Sequence, residues 1–375
     1  MKVGIMGFGT IGYGAYKIAR ETEGLEVVKI FSRRLRPEYE NALKADEKLE
    51  IFTVAPEEIW QDDSIDVVIE SMGGVEPARE YVLACLNAGK HVVTPNKNLI
   101  SACYDELMCA ALDNDVMLKF TPTAGGGIPW LYNLERTKRC DEIEEVRGIV
   151  NGTCNYILDA MHKEGVDYDQ TLKQAQMLGY AEADPTSDVA GLDTLRKTVI
   201  SANIAFNTVI DEQDVPCCGI DKIEKEDIDW FNEKGYTCKL MMNAKKLDEG
   251  KISIYVEPML FKSDTLEANV GSNNNLITLV GKNIGTQSFY GQGAGMLPTG
   301  ESVIQDVIDI MQGGPVAHIY NSEPVIIDNN SELQEYYLSY NGRRGIARKV
   351  SVAEMHMIAR SCEAKGIKLF FAAVR

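Results

Sequence analysis

Over the first 150 residues, short apolar runs alternate with stretches of helical periodicity. KVGIM (Lys2–Met6) has the length and composition of a buried strand, and Thr10–Glu21 places its apolar residues on one helical face. Further strands are predicted at Leu25–Phe31, Ile65–Ser71, His91–Pro95 and Val116–Pro122, with helices at Glu76–Ala88 and Leu99–Asp113 between them. Strand–helix alternation of this kind predicts an α/β fold with a Rossmann-type, doubly wound parallel sheet. After about Val150 the pattern changes. Helical periodicity dominates Asn155–Asn207, and then longer strands follow: YTCKLMMNAKKL, a turn at 248–250, KISIYVEPML, NLITLVGK and QSFYG. These predict a second, α+β domain, and a helix at Ser302–Met311 returns to the first. The expected organisation is a dinucleotide-binding domain over 1–130 joined by 300–325, a substrate-binding and dimerisation domain over 131–299, and a short C-terminal βαβ tail over 331–375.

Composition changes this picture little. The chain is 45% hydrophobic and 25% charged, as soluble globular proteins are. A formal net charge of −18 argues against nucleic acid or an anionic membrane as partner, because phosphate surfaces require excess Lys and Arg. Nine cysteines lack zinc or CxxC spacing, no apolar run is long enough to span a membrane, and no leader is read at the N-terminus; a cytoplasmic location with reduced thiols is the expectation. His91, His162, His318 and His356 show neither ligand nor triad spacing.

Two stretches carry candidate chemistry. GFGTIG places Gly7, Gly9 and Gly12 between a strand and a helix. There the first glycine permits the tight turn, the second lets backbone approach a pyrophosphate, and the third allows close helix–strand packing. The alternative is a purely structural turn. A NAD-preferring site carries Asp or Glu at the end of the second strand, whereas this chain reads Ser32-Arg33-Arg34, which suits a 2′-phosphate. NADP is therefore favoured over NAD, unless the two arginines are only a solvated turn.

The second stretch is YAEADPTSDVAGLDTLRK, in which Glu182, Asp184, Asp188, Asp193, Arg196 and Lys197 interrupt apolar positions at helical spacing. On a helix running from about Asp188, Asp193 and Lys197 are i and i+4 and share a face. They are either a surface ion pair or a partly buried pair able to exchange a proton with an alcohol or carbonyl. Glu182 and Asp188 at the helix entrance would hold a cationic group. Lys97, in TPNKNLI, follows a strand whose C-terminal end opens on the cofactor crevice, with Asn96 or Asn98 as cap of the next helix.

With these stretches, IESMGGVEPAREYV, GKHVVTPNK, AGGGIP, GIVNGTCNYIL and YGQGAGMLPTGESV form an ordered series over residues 1–325 that resembles homoserine dehydrogenase. The resemblance implies NAD(P)-dependent interconversion of L-homoserine and L-aspartate 4-semialdehyde, in threonine and methionine biosynthesis, by a homodimer. It implies that Lys197 and Lys97 are the active-site lysines and that Asp193 orients Lys197. It places Glu182, Asp188, Tyr180, Gly152 and Thr153 around the amino-acid substrate. The cofactor would meet Gly7, Gly9, Thr10, Ile11, Gly12, Ser32, Arg33, Arg34, Ser71 and Lys97, with Gly293 and Gly295 near it and bracing the domains.

Two departures stand out. Family members commonly read Tyr-Glu-Ala where this chain has Phe120-Thr121-Pro122. A sodium or potassium ion held by the carbonyls of Ala124, Gly126 and Ile128 would therefore lack the glutamate. The tail reads strand (Glu335–Tyr340), helix (Ser351–Ala364), strand (Lys368–Val374), about half of a regulatory ligand-binding domain, and would leave an open sheet edge unless another chain covers it. The competing readings are a divergent dehydrogenase acting on another small amino or hydroxy aldehyde, and a cofactor-binding regulatory protein without turnover.

Overall fold

A computed structural model describes residues 1–248, 250–313 and 322–375. His318, Glu249 of the hairpin turn and the 314–321 part of the returning segment lie outside the described residues. The chain forms two compact units, Met1–Asn133 with the described part of Ala294–Asn321, and Leu134–Gly293 with Ser322–Arg375.

In the first unit six parallel strands, β1 (Lys2–Met6), β2 (Glu26–Phe31), β3 (Phe52–Thr53), β4 (Val67–Glu70), β5 (His91–Val93) and β6 (Leu118–Lys119), pair in the order β3-β2-β1-β4-β5-β6. The order reverses between β1 and β4, so the crossovers leave a crevice at the carboxyl ends of these two strands. The helices are α1 (Thr10–Glu21), α2 (Pro37–Ala45), α3 (Glu57–Trp60), α4 (Ala78–Asn87) and α5 (Lys97–Asp113). The boundary between the units falls inside α6 (Trp130–Lys138). Val3, Ile5, Ile30, Val67, Ile69 and Val93 from the strands are buried with Val303, Val307 and Ile310 of a late helix, Met296–Met311. That helix crosses α1 backbone to backbone: a Cβ on Gly14 would lie 2.5 Å from the Met296 carbonyl oxygen, and one on Gly300 would lie 2.8 Å from the Gly14 carbonyl carbon.

The second unit opens with β7 (Ile143–Ile149), followed by α7 (Gly152–Glu164), α8 (Tyr168–Met177), α9 (Thr186–Val189), α10 (Leu192–Phe206) and α11 (Lys225–Lys234). Then come β8 (Tyr236–Asp248), β9 (Lys251–Lys262), β10 (Asn274–Gly281) and β11 (Gly285–Gln292); the late helix Met296–Met311 is α12. The C-terminal part supplies β12 (Ile326–Ile327), β13 (Leu333–Tyr340), β14 (Arg343–Ser351), α13 (Val352–Ala364) and β15 (Leu369–Val374). The strands make one sheet in the order β11-β10-β7-β8-β9-β15-β13-β14, with β12 also on β9.

The tail departs from the expected half-module. It contains an additional strand, β14, paired antiparallel with β13, and β15 adds in parallel to β9 of the same chain. The tail thus extends β9's sheet within the same chain, and the sheet's edge on that side is β14. Alternation along the strands buries both faces. Tyr336 and Phe371 join Tyr255, Met259 and Phe261 beneath Val352 and Met355 of α13. Tyr337 packs on the other side against Trp230 and Phe231 of α11. Polar anchors lie within these layers. Glu257, fully buried, accepts from Tyr336 Oη at 3.2 Å and lies 3.0 Å from His356 Nε2. Asp227, also fully buried, accepts from Tyr337 Oη at 2.8 Å and Arg344 Nε at 3.0 Å.

Candidate active site

In the first unit the glycine turn leaves the carboxyl end of β1. Gly7 has φ +93°, and a Cβ there would lie 2.7 Å from the Ser71 backbone carbon, so only glycine fits. A Cβ on Gly12 would sit 2.1 Å from the Gly7 carbonyl oxygen. Gly9, by contrast, faces open space and begins α1 without a side-chain cap. Thr10, Ile11 and Gly12 form the helix's first turn, whose N–H groups have no acceptor inside the helix. An uncapped helix start behind a glycine with nothing in front of it is the cradle a pyrophosphate fits. Ser71, at the end of β4, donates to the Gly7 carbonyl at 2.8 Å and locks the two strand ends together. Past β2, Ser32 Oγ donates to the Arg34 carbonyl at 3.1 Å, and Arg33 and Arg34 are exposed.

Beside this turn lies a buried carboxylate that the sequence reading passed over. Glu70 Oε2 accepts from Thr94 Oγ1 at 2.6 Å, and Oε1 accepts from the Met72 N–H at 2.7 Å. Burial pushes its carboxyl up, and these donors pull the other way. Asn96 donates to Oε1 at 3.4 Å and to the Gly74 carbonyl at 2.7 Å, while its Oδ1 caps α5 through the Leu99 N–H at 3.2 Å. Lys97, half-buried, is the first residue of α5 and so stands on this network. The signal was available: Glu70 is a lone acid at the end of an otherwise apolar strand.

The glycine run after β6 is also in this unit. Gly125 and Gly126 are left-handed at φ +90° and +57°. The Ile128 carbonyl already accepts the Trp130 N–H at 2.6 Å, and the Thr121 N–H donates to the buried Asp306 at 3.0 Å. No group of three or more His, Cys, Asp or Glu residues able to hold a metal occurs among the described residues.

In the second unit the acids and lysine of the 180–197 stretch converge. The expected single helix from Asp188 is in fact two. Gly191 breaks it by taking a left-handed conformation at φ +86°, which glycine adopts readily and where a Cβ would also lie 2.9 Å from Cys217 Sγ. Asp188 thus belongs to α9, and Asp193 and Lys197 to the first turns of α10. Lys197 Nζ donates to Asp193 Oδ2 at 2.8 Å and to the Val150 carbonyl at 2.6 Å, with both side chains buried. This is not the exposed i, i+4 pair that would contribute little. Asn151, unnoticed in the sequence, sits between the acids: its Nδ2 donates to Asp188 Oδ1 at 2.7 Å and to Asp193 Oδ2 at 2.8 Å. Burial raises the Asp188 carboxyl, and the Asn151 bond opposes that rise.

Around this cluster Gly152 begins α7, where a Cβ would lie 2.7 Å from the Asn273 carbonyl oxygen. Thr153 Oγ1 donates to the Tyr180 carbonyl at 2.5 Å. The Tyr180 ring lies edge-on to Tyr156 and is 37% exposed. Glu182 is exposed, and no hydrogen bond joins its carboxylate to the Asn151 network among the described residues. Gly293 packs on Asn275, whose amide nitrogen would lie 1.8 Å from a Cβ there; Gly295, with φ +133°, precedes α12.

An uncapped helix start for a pyrophosphate and a buried lysine–aspartate pair match a two-part dehydrogenase, and comparison with known proteins agrees. The homoserine dehydrogenase NAD-binding domain family matches residues 7–121, and the homoserine dehydrogenase family matches 129–308. Homoserine dehydrogenase of Bacillus subtilis is 38% identical over 317 residues, covering 83% of this chain and 73% of the relative. The chain belongs to the homoserine dehydrogenase family. It is accordingly an NAD(P)-dependent oxidoreductase. The Corynebacterium glutamicum homoserine dehydrogenase is 40% identical, with 82% of this chain and 71% of that one covered. A homoserine dehydrogenase structure from Thiobacillus denitrificans superposes with a TM-score of 0.87 at 29% identity, covering 100% of this chain and 98% of that one. A hyperthermophilic archaeal homoserine dehydrogenase in complex with NADPH gives a TM-score of 0.70 at 25% identity, over 84% of this chain and 99% of that chain.

Proposed function

We propose that the enzyme interconverts L-homoserine and L-aspartate 4-semialdehyde with NADP(H) preferred, and that Lys197 exchanges the proton at the reacting oxygen. The observation that carries this reading is the buried Lys197–Asp193 pair. The nicotinamide, when bound, supplies or accepts the hydride; the chain's own residues handle the proton and hold the substrate. In the reducing direction Lys197 gives a proton to the oxygen as it gains charge, and in the oxidising direction it takes that proton from the alcohol. Asp193 holds the ammonium on the inner face of α10. Asp188 and Glu182 are acids suited to the substrate's ammonium group, and Gly152 and Thr153 present the start of α7 to its polar end. Lys97, on the Glu70–Thr94–Asn96 platform, is the second lysine.

Ser32, Arg33 and Arg34 support the preference for NADP(H), since exposed guanidiniums pair bidentately with a 2′-phosphate. The edge strand β11, with Tyr290 61% exposed, supports assembly of a homodimer through this unit's sheet. Loss of NADPH absorbance on adding L-aspartate 4-semialdehyde tests the activity. Turnover with this aldehyde and a lower KM for NADPH than for NADH are expected. Turnover only with other small amino or hydroxy aldehydes would favour a divergent dehydrogenase, and NADPH binding without turnover would mark a regulatory protein.

A further inference from the structure

We infer that Asn151 is a positioning residue that dictates where protons sit in the Asp188–Asp193–Lys197 cluster. The inference rests on the reading of Lys197 and Asp193 as the acid–base pair. Asn151 is 5% exposed and performs two tasks with one amide. Its Oδ1 accepts the Cys154 N–H at 2.8 Å and so caps α7. With the oxygen committed to the helix, the amide cannot rotate: a flipped group would set NH2 against N–H and oxygen against two carboxylates. Both amide hydrogens are therefore directed outward, one to Asp188 Oδ1 and the other to Asp193 Oδ2. An N–H donated to a carboxylate oxygen stabilises the charged form more than the neutral one, so Asn151 favours ionisation of both acids.

The remaining surroundings reinforce this arrangement. From α10, Lys197 donates to the same Asp193 oxygen and to the Val150 carbonyl, which only accepts. From α7, Cys154 Sγ lies 3.2 Å from the Asp188 carbonyl, and burial pushes its thiol well up, as it does that of Cys217 beyond Gly191. The ionisable groups hydrogen-bonded together here are two acids and one lysine. Two carboxylates beside one ammonium leave a deficit of one positive charge, which the ammonium of an amino-acid substrate would fill. The neutral donor between the acids opposes the rise that burial imposes on Asp188 and so favours the ionised form before substrate arrives.

Asn151→Asp separates this role from capping. Aspartate caps a helix as well as asparagine does, so a residue needed only for α7 would tolerate the change with activity intact. As a third acid, it would instead force the cluster to retain a proton. The expected result is a folded enzyme of near-parental Tm and NADPH affinity. Its kcat/KM for L-aspartate 4-semialdehyde should fall about 10- to 100-fold near neutral pH, the worth of a hydrogen bond to a charged group. The acidic limb of its pH profile should move to higher pH. Asn151→Ser, which caps but is too short to bridge the acids, should lose kcat/KM similarly, and gives the same comparison if the aspartate variant does not fold. Parental kcat/KM and an unshifted profile in the folded variants would overturn the inference while leaving an active wild type, and with it the functional reading, in place. A wild type without turnover would instead overturn that reading.

Discussion

At the level of single residues, the site divides into what spacing reveals and what only folding brings together. Asp193 and Lys197 are legible because i, i+4 is a local relation that any helix enforces. Gly7, Gly9 and Gly12 are legible for the same reason, since their context of strand and helix lies within a dozen residues. The partnerships of Asn151 and Glu70 are not, although Glu70 itself stands out as the lone acid of its strand. Asn151 meets Asp188 and Asp193 across 37 and 42 residues of chain, and Glu70 meets Thr94 across 24. No periodicity encodes such pairs. The cofactor preference belongs to this scale too. Replacing Arg33 and Arg34 together by alanine should raise the KM for NADPH by about 10- to 100-fold, as expected for lost charge-assisted bonds, and leave that for NADH nearly unchanged. Equal effects on both cofactors, determined by steady-state kinetics, would show that the arginines do not read the 2′-phosphate.

Among the elements, the long apolar strands and α1 follow from composition. The errors have identifiable causes. The helix expected from Asp188 splits because Gly191 takes a left-handed conformation between α9 and α10. β14 escapes notice because its sequence, RRGIARKVS, is basic and mostly exposed, as befits an edge strand. β7 is similarly polar in its first half. Missing β14 made the tail look like an incomplete module, whereas three strands and α13 are stapled to β9 and α11 through Glu257 and Asp227. Removing residues 331–375 should therefore prevent cooperative folding of the second unit. A truncated chain with a parental melting transition by calorimetry would contradict this. Glu257 also gives the tail a pH signature. Burial raises its carboxyl above the ordinary 4.5, so the native state binds this proton more tightly than the unfolded chain. Its contribution to stability is complete below that value and is lost as pH rises toward the raised native one. Denaturant titrations across this range should show a decline that Glu257→Gln abolishes, and an identical pH dependence in the variant would refute the assignment.

In the molecule as a whole, a parallel sheet with its strand order reversed between β1 and β4 and a mixed sheet carrying the acid–lysine cluster divide the work of a dehydrogenase. Alternation of strand and helix makes β1, β2, β4, β5 and β6 of the first unit readable to within a few residues, whereas α2, β3 and α3 are not legible. The second was readable as a class but not as one sheet, because its hairpins are joined through the pairs β7–β10, β9–β15 and β13–β15, which lie out of chain succession. No helix among the described residues is long and apolar enough to cross a membrane. The central claim is that Lys197, held by Asp193, moves the proton that accompanies hydride transfer. Its most direct test is the kcat of Lys197→Ala for NADPH-dependent reduction of L-aspartate 4-semialdehyde, with NADPH binding and Tm measured on the same preparation. A group acting mainly in the transition state should cost kcat about 10²- to 10⁴-fold when removed, with cofactor affinity and folding preserved. Lys197→Arg should fail as well, because a guanidinium does not readily release a proton. A folded Lys197→Ala enzyme with near-normal kcat would contradict the account.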